Sequence, residues 1–133
     1  MSLSMATAAR MRYYNDTASA SIAAEASPHR LIAMLYEGAL ERLALARSAI
    51  ARRDVSAKLR AINGAMAIVE HLRIVLDHGQ GGELPQRLDA LYDYMLRRMT
   101  QANASNDADA LAEVSGLVMT IKTGWDQIAP EPR

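Results

Sequence analysis

Residues 107–128 read DADALAEVSGLVMTIKTGWDQI, and the spacing of the apolar residues in this stretch decides the fold. Leu111, Val114, Val118, Ile121, Trp125 and Ile128 recur at alternating steps of three and four, the heptad-like seam of a helix packed lengthwise on other helices. Pro130 and Pro132 end the segment, because neither can donate the backbone bond that a continuing helix needs. A helix over 107–128 therefore requires partners, and the preceding sequence offers three.

Immediately upstream, Asn103-Ala104-Ser105-Asn106-Asp107 closes one helix and caps the next. The helix it closes spans 85–104, opens at Leu84-Pro85, and carries Leu84, Leu88, Leu91, Met95, Met99 and Ala102 on one face. Before it, Gly79 and Gln80-Gly81-Gly82-Glu83 cannot hold a helix, since three of the four positions 79–82 are glycine and lack the restraint of a side chain. The helix ending there spans 54–78, with Val55, Leu59, Ile62, Met66, Val69 and Leu76 as its main stripe. Arg52-Arg53-Asp54 marks a very short link, with a basic pair suited to a helix C-terminus and Asp54 suited to cap the next start, so the two helices it joins should be antiparallel neighbours. The first helix, 28–52, starts at Ser27-Pro28 and places Ile32, Leu35, Ala39, Leu43, Ala46 and Ile50 on one face, with Leu31, Met34, Gly38 and Leu45 forming a second apolar strip. The prediction is an all-α, elongated antiparallel four-helix bundle over 27–129. It is preceded by an Ala/Ser-rich N-terminal arm or short capping helix over 1–26 and followed by a tail over 130–133.

Composition agrees: Ala, Leu, Glu, Lys and Arg supply 62 of the 133 residues, Val, Ile and Thr only 18. The formal net charge of zero argues against nucleic acid as a partner, because that affinity comes from many cationic contacts releasing counterions. With no cysteine there is no disulfide framework, thiolate metal site or cysteine nucleophile, which suits a reducing cytosol. No unbroken apolar run follows Arg10 and Arg12, so neither a signal peptide nor membrane insertion is expected, and the expected location is cytoplasmic. The zero balance is uneven: residues 28–53 carry +3 and residues 106–129 carry −3, complementary fields for a first and a last helix lying side by side.

Catalytic chemistry finds no footing. No Glu-x-x-His pair is present to build a carboxylate metal centre, and His29, His71 and His78 read as surface or loop histidines. Glu37 with Glu41, and Asp89 with Asp93, are acid pairs one turn apart that read as solvated helix faces with Arg42, Arg97 and Arg98 close by. Phosphate-cradle and nucleophile-elbow strings are missing. The expectation is a protein that is not an enzyme, with no catalytic residue, metal or cofactor. What remains is an apolar surplus rich in Tyr and Met: Tyr13 and Tyr14 in the arm, Tyr92 and Tyr94, which cannot both point into one core seam, and Met34, Met66, Met95, Met99 and Met119. Such residues suit an adaptable groove for a partner helix.

The strings SPHRLIAMLYEGA (27–39) and LDALYDYMLRRM (88–99), with Gly81-Gly82-Glu83-Leu84, Ala102-Asn103, Asn106-Asp107 and Trp125, follow in order and spacing the pattern of the FliS family of flagellar export chaperones. The resemblance covers roughly Tyr13 to Ile128. It implies a cytosolic bundle that binds the disordered C-terminal segment of flagellin, prevents premature polymerisation and assists delivery to the flagellar type III export apparatus. The export gate and other flagellar proteins are further candidate partners. It also implies that an N-terminal Tyr covers part of the binding surface, a role carried to Tyr14, with Tyr13 as second candidate. The residues expected to bind the client are Tyr13, Tyr14, Ile22, Leu31, Met34, Leu91, Tyr92, Tyr94 and Met95, with Tyr14 and Ile22 folding back, until flagellin arrives, over a groove edged by the last six. The alternative is a self-associating structural bundle without a flagellin client, its surplus buried against a second copy as a homodimer.

Overall fold

The computed structural model describes residues 26–128; the arm, and with it Tyr13, Tyr14 and Ile22, lies outside the described residues. Four helices follow one another: α1 (Pro28–Arg52), α2 (Val55–Ile74), α3 (Leu84–Ser105) and α4 (Ala108–Gln127), with a 3-10 turn at His78–Gln80 between α2 and α3. The described residues contain no strand and are all-α. Residues Ile32–Ala129 form one compact unit, and the remainder of the chain falls in a second, of which only residues 26–31 are described.

The helix starts follow from local chemistry. Ser27 Oγ accepts from Arg30 N at 3.2 Å, Asp54 accepts from Ala57 N and Asp107 from Ala110 N, both at 3.1 Å. Each satisfies an amide that the first turn leaves without an intrahelical partner. The turns α1–α2 and α3–α4 are built alike. Arg53 (φ 57) and Asn106 (φ 54) adopt the left-handed conformation, and the next residue is the capping Asp. That Asp sends its own amide back five residues, Asp54 N to Ala49 O and Asp107 N to Ala102 O. This 6→1 bond closes the outgoing helix while the side chain opens the incoming one, which is how a two-residue link reverses the chain. Asn tolerates a positive φ, but Arg gains nothing there. Arg53→Gly is therefore expected to stabilise the fold by about 0.5–1 kcal/mol, read as a raised urea midpoint at unchanged slope.

The core is made of small residues against a few large ones. Ala39, Ala46 and Ala49 on α1, Ala65 on α2, Ala102 on α3 and Ala110 on α4 are fully buried and let the backbones approach around Leu43, Ile62, Val69, Met95, Met99, Leu111, Val114 and Val118. Tyr36 and Tyr92, both buried, join hydroxyls at 2.8 Å across the interior. Burial pushes both phenols up, so they stay neutral and the bond stays uncharged. Antiparallel register shows in contacts along each seam: Gly38 faces Ile68 and Arg42 faces Gly64 for α1 and α2, Lys58 reaches Asn103 and Arg73 reaches Asp89 for α2 and α3, and Arg98 reaches Glu113 for α3 and α4.

Three expectations need correction. The helix expected over 54–78 stops at Ile74; Val75 and Leu76 lie beyond its end, and Asp77 accepts from Gly79 N to start the 3-10 turn. Gly81 and Gly82 then take positive φ and turn the chain. The stripe expected on α2 holds at Ile62 and Val69, which are buried, but not at Val55 and Leu59, which are exposed, and Lys58, Ala61, Ala65 and Leu72 complete the inward face. Finally, Leu84 and Ile128, expected on inward faces, are exposed at helix ends.

Candidate functional site

Of the expected client-contacting residues that are described, two belong to the core: Tyr92 is 2% exposed and Met95 fully buried. They lie inside the bundle, not at a groove edge, because the inward arc of α3 runs through Tyr92, Met95, Met99 and Ala102. Leu31 is exposed near the start of α1, and Met34, Leu91 and Tyr94 are partly buried. Met34 and Tyr94 do not share one groove. Met34 lies on the strip of α1 that continues to Gly38, which faces Ile68 of α2, whereas Tyr94 turns towards α4.

Tyr94 belongs to a polar lattice that ties three helices. Its hydroxyl donates to both oxygens of Glu113 on α4, at 3.0 and 2.9 Å, and Arg98 Nε donates to the same carboxylate at 2.7 Å. The Arg97 guanidinium sits 5.9 Å from the Tyr94 ring centroid and donates to Asp93. From α2, Arg73 donates to both oxygens of Asp89, at 2.7 and 3.3 Å, and to Asp93 at 3.3 Å. The acid pair Asp89–Asp93 is thus an interhelix anchor for Arg73 rather than only a solvated face. Arg98, then Tyr94, holds the Glu113 carboxyl below its usual range, and Arg73 does the same for Asp89. A lowered folded value means the stabilisation is present above the unfolded value near 4 and is lost as pH falls through the folded one. Denaturant midpoints should therefore decline as pH falls below about 4, and Glu113→Gln, less stable at pH 7, should flatten part of that decline.

The apolar surface that the sequence pattern did not single out lies chiefly on α2. Exposed Val55 and Leu59 and partly buried Met66 step by four and seven, one row of the helix. Seven residues on, the row reaches Arg73, whose guanidinium holds Asp89 and Asp93, so it runs along the α2–α3 seam. Their apolar character was legible, but their outward direction depended on Lys58 taking the inward place. Met119 adds an exposed apolar point on α4.

Among the described residues no group of three or more His, Asp or Glu is placed to hold a metal ion, and no helix is long and apolar enough to cross a membrane. What this geometry offers is apolar rows beside fixed charges on rigid helices, which can take up a partner helix.

Comparison with known proteins gives these surfaces a family. The family model described as Flagellar protein FliS matches residues 10–132. A flagellar secretion chaperone FliSB of Pseudomonas aeruginosa is 44% identical over 119 residues, covering 90% of this chain and 94% of that protein. The flagellar secretion chaperone FliS of Salmonella typhimurium is 43% identical over 128 residues, covering 96% and 95%. That of Bacillus subtilis is 38% identical over 108 residues, covering 81% and 80%. On a family match that takes in nearly the whole chain, and on likeness of this extent to several chaperones, the protein belongs to the FliS family of flagellar secretion chaperones, which are not enzymes.

Proposed function

We propose that the protein binds the disordered C-terminal segment of flagellin in the cytoplasm, keeps that segment from polymerising prematurely, and assists its delivery to the flagellar type III export apparatus. The observation that carries this reading is the row Val55, Leu59 and Met66 along the α2–α3 seam, whose first two side chains the core leaves to solvent while the third is half-buried against it. A disordered client loses entropy when it orders, so it needs a long apolar track with polar flanks rather than a deep pocket. A helical tail segment laid on this row would bury it, and a further part of the tail crossing α3 would meet Tyr94 on the side that faces α4. In this reading the N-terminal arm, through Tyr13, Tyr14 and Ile22, competes with the tail for part of that surface.

Calorimetry of the full chain with a flagellin C-terminal peptide is the test. Leu59→Asp, at an exposed position, should change stability by less than about 0.5 kcal/mol yet weaken tail binding at least about tenfold. Unchanged affinity would remove the row from the site. A chain that ignores the tail and remains a dimer at all concentrations by light scattering would favour the self-associating bundle instead.

A further inference from the structure

Seven arginines of this bundle fall into two groups. Arg73, Arg87, Arg97 and Arg98 each hold a carboxylate at 2.7–3.3 Å. On the other side, between α1 and α2, Arg42 donates only to the Gly38 carbonyl of its own helix and Arg60 only to Ser56 Oγ of its own helix, with no carboxylate partner among the described residues. Arg52 bonds Ser48 Oγ at 3.4 Å and reaches Asp54 only at 3.6 Å. These three guanidiniums and Glu41 rim a cleft of about 370 Å³ whose apolar lining is Leu45, Ala57 and Ala61. Leu45 is 54% exposed there, a large apolar side chain inside a basic rim.

The position of Arg42 depends on a missing side chain. A Cβ at Gly64 would come within 2.8 Å of Arg42 Cδ and Nε, so glycine is what allows the arginine stem to lie against α2 beside the cleft, its Nη1 resting on Gly38 O. Arg42 and Arg60, without a carboxylate among the described residues, and Arg52, which Asp54 meets only at 3.6 Å, stand beside an exposed leucine and match one chemistry: a carboxylate-bearing strand of side chains flanking an apolar one. Two antiparallel helices with such a cleft between them suit a helix laid along the cleft.

We infer that the α1–α2 cleft is a docking site for an acidic amphipathic helix of a partner protein, distinct from the α2–α3 row proposed for the flagellin tail. Its apolar residue sits on Leu45, Ala57 and Ala61, and its Glu or Asp residues pair with Arg42, Arg52 and Arg60. A polyphosphate chain fits less well, because it would leave Leu45 exposed and meet Glu41.

The probe is a fluorescein-labelled synthetic helix of about 18 residues, with Leu on one face and Glu on the other, compared with the same peptide carrying Lys for Glu. Anisotropy against the full chain should show binding of the Glu peptide, at least about tenfold weaker binding of the Lys peptide, and weakening by raised salt. Arg42→Glu with Arg60→Glu should lower affinity for the Glu peptide at least about tenfold, and so should Leu45→Ser, while circular dichroism and flagellin-tail binding stay unchanged. Gly64→Ala, which displaces Arg42, should weaken binding by a smaller factor. Equal binding of the two peptides, or indifference to the arginine reversals in a folded protein, overturns the assignment. So does an oligonucleotide that binds in an arginine-dependent way that Leu45→Ser leaves untouched. Loss of tail binding alone would leave this site standing and count against the α2–α3 row.

Discussion

Tyr92→Ala is expected to remove about 3–5 kcal/mol of stability, whereas Tyr94→Ala, two residues along the same helix, should remove less than about 1 kcal/mol. The difference is one of direction. Tyr92 is enclosed by the core and its hydroxyl meets that of Tyr36, so truncation opens a cavity and also strands a buried hydroxyl. Tyr94 lies at the surface, where its loss releases one bond to Glu113 while Arg98 keeps that carboxylate paired. For a domain stabilised by about 5–15 kcal/mol, the first change takes a large share of the total. Urea denaturation of both variants is the measurement, and similar losses would contradict the assigned directions. The hydroxyl pair is separable from the ring: Tyr92→Phe or Tyr36→Phe alone should cost about 1–2 kcal/mol, and the double variant much less than the sum, because replacing both partners leaves no unsatisfied group. The contrast also governs functional assays. Lost tail binding by Tyr92→Ala would report unfolding, while lost binding by Tyr94→Ala would report a surface contact.

The two tyrosines show what a sequence reading reaches. That they could not share one seam follows from their spacing. Which of them turned inward depended on the rotation of α3, set by Met95, Met99 and Ala102 packing among the other helices. The helix starts were legible because a capping side chain acts within three residues: Ser27, Asp54 and Asp107 all accept the expected amide. The heptad seam of α4 held for Leu111, Val114 and Val118, which are buried, but Ile128 lies past the last turn and is exposed. On α2 the apolar pattern misled. A stripe drawn through Val55 and Leu59 excludes Lys58, since a charged residue is expected outside, and the structure inverts that choice. The partners that admit this lysine sit 45 and 48 residues away at the end of α3, beyond any local pattern. The same inversion puts Val55 and Leu59 at the surface, so the candidate client surface was hidden for the reason the core was misread.

Lys58→Met should accordingly cost about 2–4 kcal/mol, although it exchanges a charge for an apolar residue of similar length. Lys58 is 7% exposed, and its ammonium donates to the Asn103 carbonyl at 2.9 Å and to Asn106 Oδ1 at 2.6 Å. Asn103 O is one of the last carbonyls of α3, which no later turn of that helix can satisfy, and a cation at that end also complements the helix dipole. Asn106 is the left-handed residue of the α3–α4 turn, while Lys58 lies in the first turn of α2, just after the α1–α2 turn. One side chain therefore bolts the two chain reversals together. Asn106→Gly keeps the backbone conformation and removes the acceptor, so it should lower stability where Arg53→Gly raises it. If the bolt operates, Lys58→Met and Asn106→Gly fall short of additivity by about 1–2 kcal/mol in a double-mutant cycle. Lys58→Met should also deprotect amides of both turns in hydrogen exchange. Loosening confined to the α3–α4 turn would reduce Lys58 to a local helix cap, and the two hairpins would then be held only by the alanine-lined core between them.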